Sequence, residues 1–251
     1  METSVPTVFS RAAVVAKWRR SAVRAGARDG GRFLIDAIEE DILERLAFMR
    51  FEPQRVLAVG AGKGQLFPAL SAPDAAIRSE PLGAIDEEFP LDVGGYDLIV
   101  HLLGLGMVND LPGALVHFRT ALAPGGLFLA SFPGSGSLPV LRGIIARADG
   151  ERGVPRMHPL VGSREGAALL QRAGFTRQVV DSYTLDVRYS SLETLVEDLR
   201  DHGLTRSLAT PSPPLSRSGL LRAREAFDTL RDEDGKVAEQ YEILTLTGWK
   251  T

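Results

Sequence analysis

The sequence predicts an α/β fold with a mostly parallel sheet covered by helices on both faces. Two observations lead to this prediction. Short apolar runs rich in β-branched residues alternate with segments of helical periodicity, and a glycine-rich turn follows the first of these runs. The chain has 251 residues, 44% hydrophobic and 24% charged, which is ordinary for a globular protein. That length suffices for one substantial domain with an insertion.

Composition excludes several classes of function. The net charge of −3 gives no general attraction to nucleic acid or anionic lipid, so neither partner is predicted. The absence of cysteine excludes disulfides, thiolate zinc sites and cysteine nucleophiles, and it fits a reducing compartment. No apolar run approaches the ~18 residues that a transmembrane helix needs. We therefore expect a cytoplasmic protein in a bacterium, or a mitochondrial matrix protein in a eukaryote.

The N-terminal segment is basic. A transit peptide has such a composition, but so does an amphipathic helix with a solvated basic face, and we favour the helix. Apart from Glu2, the charged residues among the first 28 are Arg11, Lys17, Arg19, Arg20, Arg24 and Arg28.

The first half of the chain alternates between helix and strand. Residues 31–50 place apolar side chains at helical spacing with acidic residues mostly between them, which predicts one core face and one wet face. The apolar run at 55–59 stops at a glycine and predicts a buried strand, after which a helix should open within 64–70. Further short strands are predicted at 75–80, 96–103 and 127–132.

A helix is predicted between the last two of these strands, over residues 109–122. Asn109 or Asp110 serves as its cap, and Pro112 lies in its first turn. The sequence "APGG" then ends this helix.

The second half of the chain differs from the first in composition and in the pattern of predicted elements. A short helical segment at 138–148 lies among many Gly, Pro and Arg residues, and a helix over 163–175 precedes an extended run. Two amphipathic helices flank a Ser/Pro-rich mobile loop at 205–219, and residues 240–250 predict a last strand. The predicted organisation is an N-terminal helical segment (1–50), a Rossmann-like core (51–132), and a C-terminal half (133–251) whose helical insertion precedes the strands that complete the sheet.

The turn "GAGKG" indicates a nucleotide-like ligand. Its glycines, Gly60, Gly62 and Gly64, fall at every second position between a strand and a helix. A dinucleotide fold spaces its glycines G-x-G-x-x-G, and a phosphate loop needs Lys after the last glycine, so neither matches. The G-x-G-x-G form suits S-adenosylmethionine (SAM) in class I methyltransferases, because bare backbone lets the ligand lie across the strand end. A tight turn without a ligand is the alternative.

Further cofactor contacts are predicted on the strands beside this turn. Glu80 ends the second strand, where an acid can accept both ribose hydroxyls; a solvated acid at a strand end is the alternative. Asp86 could accept the exocyclic amine of adenine, although a solvated acidic turn explains it equally well. Ala61 in the glycine turn and Leu103 at the end of the third strand complete the predicted cofactor residues.

Two features modify this site. Ala58 stands where such loops carry the acid that binds the ammonium of SAM, and losing that hydrogen bond should cost about 1.5–3 kcal/mol if nothing compensates. The five residues between Glu80 and Asp86 leave no room for the usual helix and strand, so the fold is abbreviated after the second strand.

Several segments together resemble one family. They are "VNDLPGAL", "APGGLFLASF", "LLQRAGF", "LVEDLR" and "RDEDGKVAEQYEILTLTGWK", and "VFSRAAVVAKWRRSA" resembles it at the N-terminus. The family is the complex I assembly factor 5 group with its bacterial homologues, neighbours of the malonyl-carrier-protein methyltransferase of biotin synthesis. The order and spacing of "EDGKV…GWK" is its most specific part.

This resemblance implies a class I methyltransferase sheet. It also implies modification of a respiratory complex I subunit, which for the mitochondrial member is described as arginine hydroxylation; bacterial homologues are commonly called SAM-dependent methyltransferases. The chain has Leu105, Gly106 and Met107 where the family usually has Leu-His-Trp, and it has Ala58 for the loop acid. The segment "VPRMHPL" keeps Pro155 and Arg156 of the family pattern.

Candidate catalytic residues are few. His101 lies in the third predicted strand, where it could face the methyl end of the cofactor as a base or be an ordinary core or near-surface histidine. His158 lies in the inserted segment, where it could line a substrate pocket or be an ordinary loop histidine. The four histidines have no metal-ligand spacing, so no metal site is predicted.

Three functions stay open. The first is a SAM-dependent methyltransferase acting on a protein or a small carboxylate, which needs mostly positioning and desolvation. The second is an arginine hydroxylase acting on a complex I subunit. The third is a degenerate relative that binds a partner during assembly without chemistry.

Overall fold

The computed structural model describes residues 5–25, 31–61, 64–71 and 75–251. Its strands form a six-stranded sheet within these residues. They are β1 (Arg55–Val59), β2 (Ala76–Glu80), β3 (Tyr96–Leu102), β4 (Leu122–Pro133), β5 (Thr176–Tyr189) and β6 (Val237–Trp249). The helices are α1 (Arg11–Ala25), α2 (Phe33–Met49), α3 (Leu66–Leu70), α4 (Leu111–Ala121), α5 (Pro139–Asp149), α6 (Ser163–Arg172), α7 (Leu192–Asp201) and α8 (Arg217–Asp228).

The sheet is mostly parallel, as predicted. Its strand order is β2-β1-β3-β4-β6-β5, in which the first four strands are parallel and β6 runs antiparallel to both of its neighbours. Val59 at the end of β1 is aligned with Glu80 on β2 and with His101 on β3. The ends of three neighbouring parallel strands therefore meet at one edge of the sheet.

Helices cover both faces of the sheet. Successive side chains on a strand point to opposite faces, so each strand contributes apolar side chains to both helical layers. On β1, Val56 and Ala58 belong to the core cluster that contains the apolar face of α2, whereas Leu57 and Val59 belong to the cluster that contains α4. Ala58 has no exposed surface and faces the α2 side.

The abbreviation after the second strand is confirmed. Residues 81–95 connect β2 to β3 through turns and contain no helix or strand. Consequently β2 is an edge strand of the sheet.

The helical insertion is confirmed as well. Helix α5 and a short 3₁₀ turn, Gly150–Arg152, follow β4, and helices α7 and α8 lie between β5 and β6. The segment from 205 to the start of α8 has no regular element apart from an isolated bridge between Phe9 and Leu208.

Two local predictions are refined. The cap of α4 is Asp110, whose Oδ1 accepts the backbone N–H of Gly113 at 2.9 Å, while Oδ1 of Asn109 accepts the N–H groups of Val8 and Phe9. The segment "APGG" lies within β4, which already begins at Leu122, so the strand starts earlier than predicted.

Helix α1 is amphipathic, as expected. Val14 and Trp18 are buried, whereas Arg19 and Arg20 are exposed. Within the part of the chain that the structure describes, no helix combines the length and the apolarity that crossing a bilayer requires.

Candidate functional site

The glycine turn after β1 lies where the three strand ends meet. Gly60 has φ +87°, and its N–H donates to the carbonyl of Glu80 at 2.9 Å. A Cβ on Gly60 would lie 2.8 Å from the carbonyl oxygen of Leu102 and 3.2 Å from Cδ2 of Leu82. Both the backbone conformation and the lack of space therefore require glycine here. Ala61 follows with no exposed surface, and Gly62 lies outside the described residues.

Glu80 lies one strand away from this turn and is partly exposed. Its Oε1 accepts a hydrogen bond from Nε of Arg78 at 2.8 Å, and Arg78 also contacts Asp92 at 2.7 Å. The arginine thus engages one carboxylate oxygen of Glu80, next to the turn.

Helix α1 crosses the segment between β2 and β3. Nε of Arg11 lies 3.0 Å from Asp86, and its Nη1 donates to Oε2 of Glu87 at 3.0 Å. The other carboxylate oxygen of Glu87 lies 3.2 Å from Nε2 of His101. Asp86, predicted as an adenine contact, is therefore ion-paired with the N-terminal helix.

His101 is completely buried. Its ring packs edge-on against Phe118, and Nδ1 finds no hydrogen-bond partner among the described residues. Burial raises the pKa of Glu87, but the hydrogen bond and charge of His101, together with Arg11, hold the pKa of this carboxyl below its ordinary value.

A second buried carboxylate lies against the glycine turn. Glu39 on α2 has no exposed surface; it accepts the N–H of Leu66 at 3.3 Å and lies 3.5 Å from Nη2 of Arg32. A Cβ on Gly64 would lie 1.8 Å from Oε2 of Glu39. Burial raises the pKa of Glu39 despite these donors.

A cavity of about 490 Å³ adjoins this region on the side of the C-terminal helices. Side chains from α5, α7, α8 and β6 form much of its wall, among them Leu141, Val196, Ala223 and Tyr241. Leu103 also lines it and, in a backbone conformation with φ +63°, donates its N–H to the carbonyl of Ser131. The cavity thus reaches the end of β3.

His158 lines this cavity and is half-buried. Its Nε2 accepts the N–H of Ser207 at 2.6 Å, and its ring packs edge-on against Phe9. Burial, with the charges of Lys17 and Arg206, lowers the pKa of His158 to about 4. The imidazole is therefore neutral at pH 7. The two candidate histidines have different neighbours: His101 lies beneath the β2–β3 connection, and His158 faces the cavity.

Comparison with known proteins decides the family. A family model described as a methyltransferase domain matches residues 31–180, which is more than half of the chain. The chain belongs to this methyltransferase family. The matched region contains the glycine turn, Glu80, Glu39 and both candidate histidines.

Two relatives place this methyltransferase more narrowly. The human protein named "Arginine-hydroxylase NDUFAF5, mitochondrial" is 35% identical over 170 residues, which are 66% of this chain and 49% of that protein. The Malonyl-[acyl-carrier protein] O-methyltransferase of Xylella fastidiosa (strain M23) is 30% identical over 259 residues, 92% of this chain and 86% of that protein. The chain spans about half the length of the mammalian arginine-hydroxylase relatives it matches.

A solved structure shares the methyltransferase fold. A Bacillus halodurans C-125 protein described as a methyltransferase superposes with a TM-score of 0.52 at 13% identity, covering 83% of this chain and 98% of that one. At this identity the likeness shows the fold alone.

The residues around the glycine turn of this methyltransferase fit an adenosyl sulfonium ligand. Gly60 turns the backbone sharply at the end of β1, and Leu82 packs beside it as an apolar neighbour. Arg78 contacts Oε1 of Glu80, and Oε2 makes no hydrogen bond among the described residues, so this oxygen has free acceptor capacity. Glu39 supplies a carboxylate at the turn, where Ala58 has none.

Sequence reasoning missed Glu39 by assigning the acids of the 31–50 helix mostly to its wet face. One signal was present, because Ile35, Glu39 and Ile42 continue the i, i+4, i+7 spacing of a single helix face. Glu87 and Arg11 were missed as well. These two residues come together only through the packing of α1, and nothing in the sequence around either residue predicts their ion pair.

Proposed function

We propose that this protein is a SAM-dependent methyltransferase that modifies a protein or a small carboxylate substrate. The observation that carries the proposal is the position of the glycine turn, which follows β1 directly and whose Gly60 N–H donates to the carbonyl of Glu80 at the end of the neighbouring strand. When bound, SAM supplies an electrophilic methyl group. Membership of the methyltransferase family supports the same activity.

The chain's own residues position the ligands rather than exchange protons. The glycine turn after β1 accommodates the cofactor, and Glu80 orients its ribose. Glu39 is the acid that compensates for Ala58 at the amino-acid end, so cofactor affinity need not fall by the factor that the sequence alone predicts. Leu103 separates the cofactor site from the adjoining cavity, where the substrate binds. Methyl transfer is an in-line displacement that depends mainly on such positioning.

Calorimetric titration with SAM tests this proposal. We expect binding by the wild type, with affinity reduced tenfold or more by Glu80→Gln and by Glu39→Gln, since each replaces a charged acceptor by a neutral one. Glu52→Gln and Glu40→Gln are matched controls, because both are exposed carboxylates outside the site. Absence of heat with the wild type, or equal loss in the control variants, contradicts the proposal.

The similarity to the mitochondrial arginine hydroxylase supports a second candidate, modification of an arginine in a subunit of respiratory complex I. Mass spectrometry of such a subunit, after incubation with the protein and either SAM or dioxygen with a reductant, distinguishes the reactions. A gain of about 14 Da indicates methylation, about 16 Da indicates hydroxylation, and binding without a mass change indicates an assembly partner without chemistry. The cytoplasmic or matrix location stays a prediction.

A further inference from the structure

The cavity beside Leu103 has an aliphatic wall. Leucine, isoleucine, valine and methionine side chains provide most of its surface, and Tyr241 is the single phenol or phenyl ring among its described lining residues. The hydroxyl of Tyr241 already bonds to that of Tyr189 at 2.9 Å. The volume of the cavity, about 490 Å³, falls in the range of small-molecule sites. Such a wall suits a flexible alkyl chain better than a planar, polar ring.

One edge of the cavity carries positive charge that the protein does not neutralise. His158 and Arg206 line the cavity, and Lys17 on α1 lies within electrostatic range of both. No salt bridge to Lys17, Arg20 or Arg206 is found among the described residues. In the same part of the chain, Nε of Arg206 is buried without a hydrogen-bond partner.

Lys17, Arg20 and Arg206, here called the basic cluster, repel one another, and this repulsion contributes to the pKa of Lys17. Burial, with Arg20 and Arg206, lowers the pKa of Lys17 to about 8. A bound anion would relieve this repulsion and supply an acceptor for the buried donor of Arg206.

Two other arginines that line the cavity are already neutralised. Arg156 makes a bidentate pair with Asp149 at 2.7–2.9 Å, and Nε of Arg224 lies 2.8 Å from Glu193. Neither therefore needs an external anion. The unneutralised positive charge thus lies at the edge of the aliphatic wall, near Lys17 and Arg206.

We propose that the cavity binds an amphipathic ligand, an alkyl chain that ends in an anionic group, with the chain against the apolar wall and the anion at Arg206, on the side of Lys17. As the methyl acceptor this ligand rests on the proposed function, because the proposed cofactor site lies on the other side of Leu103 from the cavity. As a binding site it stands on the cavity and the basic cluster alone.

Titration with eight-carbon probes, without SAM, tests the inference. Octanoate and octyl phosphate carry the anion, octanol is neutral, and octyltrimethylammonium is cationic. We expect at least one anionic probe to bind tenfold or more tightly than octanol, and the better one distinguishes a carboxylate from a phosphate. The double substitution Lys17→Gln/Arg206→Gln should abolish this preference and leave octanol binding unchanged. Arg19→Gln, an exposed cation on the same helix, is the matched control.

A second variant tests the cavity. Val196→Trp fills it from α7 and should weaken octanol and the anions alike; if it does not fold, Leu220→Trp at the more exposed wall replaces it. Equal binding of octanoate, octyl phosphate and octanol, preference for the cation, or no binding of any probe overturns the inference. A parallel titration with SAM separates the two proposals. SAM binding without probe binding overturns only the cavity inference, and probe binding without SAM binding overturns only the proposed function.

Discussion

Nε2 of His101 lies 3.2 Å from Oε1 of Glu87, and both side chains are fully buried. Arg11 from α1 binds the other oxygen of this carboxylate at 3.0 Å. The three side chains join the N-terminal helix, the β2–β3 connection and strand β3. Because a buried charge is costly unless it is paired, this contact couples the docking of α1 to the ionisation of Glu87.

The pH dependence of stability should reveal this pair. The pKa of Glu87 in the folded protein lies below its ordinary value of 4.5, so its stabilisation is present above about pH 4.5 and is lost as the pH falls through the folded pKa. In urea unfolding, Glu87→Gln should be less stable than the wild type near neutral pH, and the difference should shrink in acid. Glu233→Gln, at an exposed site, should show almost no difference. A difference independent of pH would contradict this assignment.

The glycine turn should tolerate no side chain. Gly60→Ala introduces strain at φ +87° and a contact of 2.8 Å with the carbonyl of Leu102, so we expect a loss of about 2–4 kcal/mol in the free energy of unfolding. Gly125→Ala is the matched control, because Gly125 has φ +79° but its Cβ position has no atom within 4 Å. Its cost should be limited to backbone strain, about 1–2 kcal/mol. Equal costs for the two variants would show that the contact is relieved by relaxation.

Gly64 and Glu39 should be energetically coupled. Gly64→Ala places a methyl group within about 2 Å of both oxygens of the buried Glu39 carboxylate, and we expect a cost of about 1–3 kcal/mol. The double variant Gly64→Ala/Glu39→Ala removes the carboxylate that the new methyl group contacts, so it should recover part of that cost. Chemical denaturation of the two single variants and the double variant measures the coupling. Additive costs would mean that the carboxylate moves away freely.

His158 should titrate far below an ordinary histidine. Burial and the charges of Lys17 and Arg206 lower its pKa to about 4 from 6.5. Its contribution to stability is complete above about pH 6.5 and decreases as the pH falls toward 4, since the unfolded chain binds the proton first. NMR of the ring protons, assigned with His158→Gln, should show this pKa.

Lys17→Gln should raise the pKa of His158 by removing one positive charge, while Arg19→Gln should change it little. A pKa near 6.5 in the wild type would show that His158 is solvated and not part of the cavity wall. If Lys17→Gln does not raise the pKa of His158, then Lys17 does not act on this histidine and does not belong to the basic cluster.

The sequence by itself determined the architecture. Alternating apolar runs and helical periodicity predicted the parallel strands, because burial on both faces of a sheet requires continuous apolar segments. The short distance from Glu80 to Asp86 predicted the missing helix, since no strand–helix unit fits into it. The G-x-G-x-G spacing located the turn at the strand end, because the backbone conformation at Gly60 is accessible mainly to glycine.

Only the tertiary structure decided which charges meet. Glu39 lies against the glycine turn at Gly64, and Glu87 lies against His101; packing brings together segments that are distant in the chain in both cases. Local periodicity records whether a side chain faces the core or the solvent, but it contains no information about its partner across the core. A buried acid is tolerated only when other groups satisfy it, and the donor that Leu66 supplies to Glu39 was visible only in the folded chain.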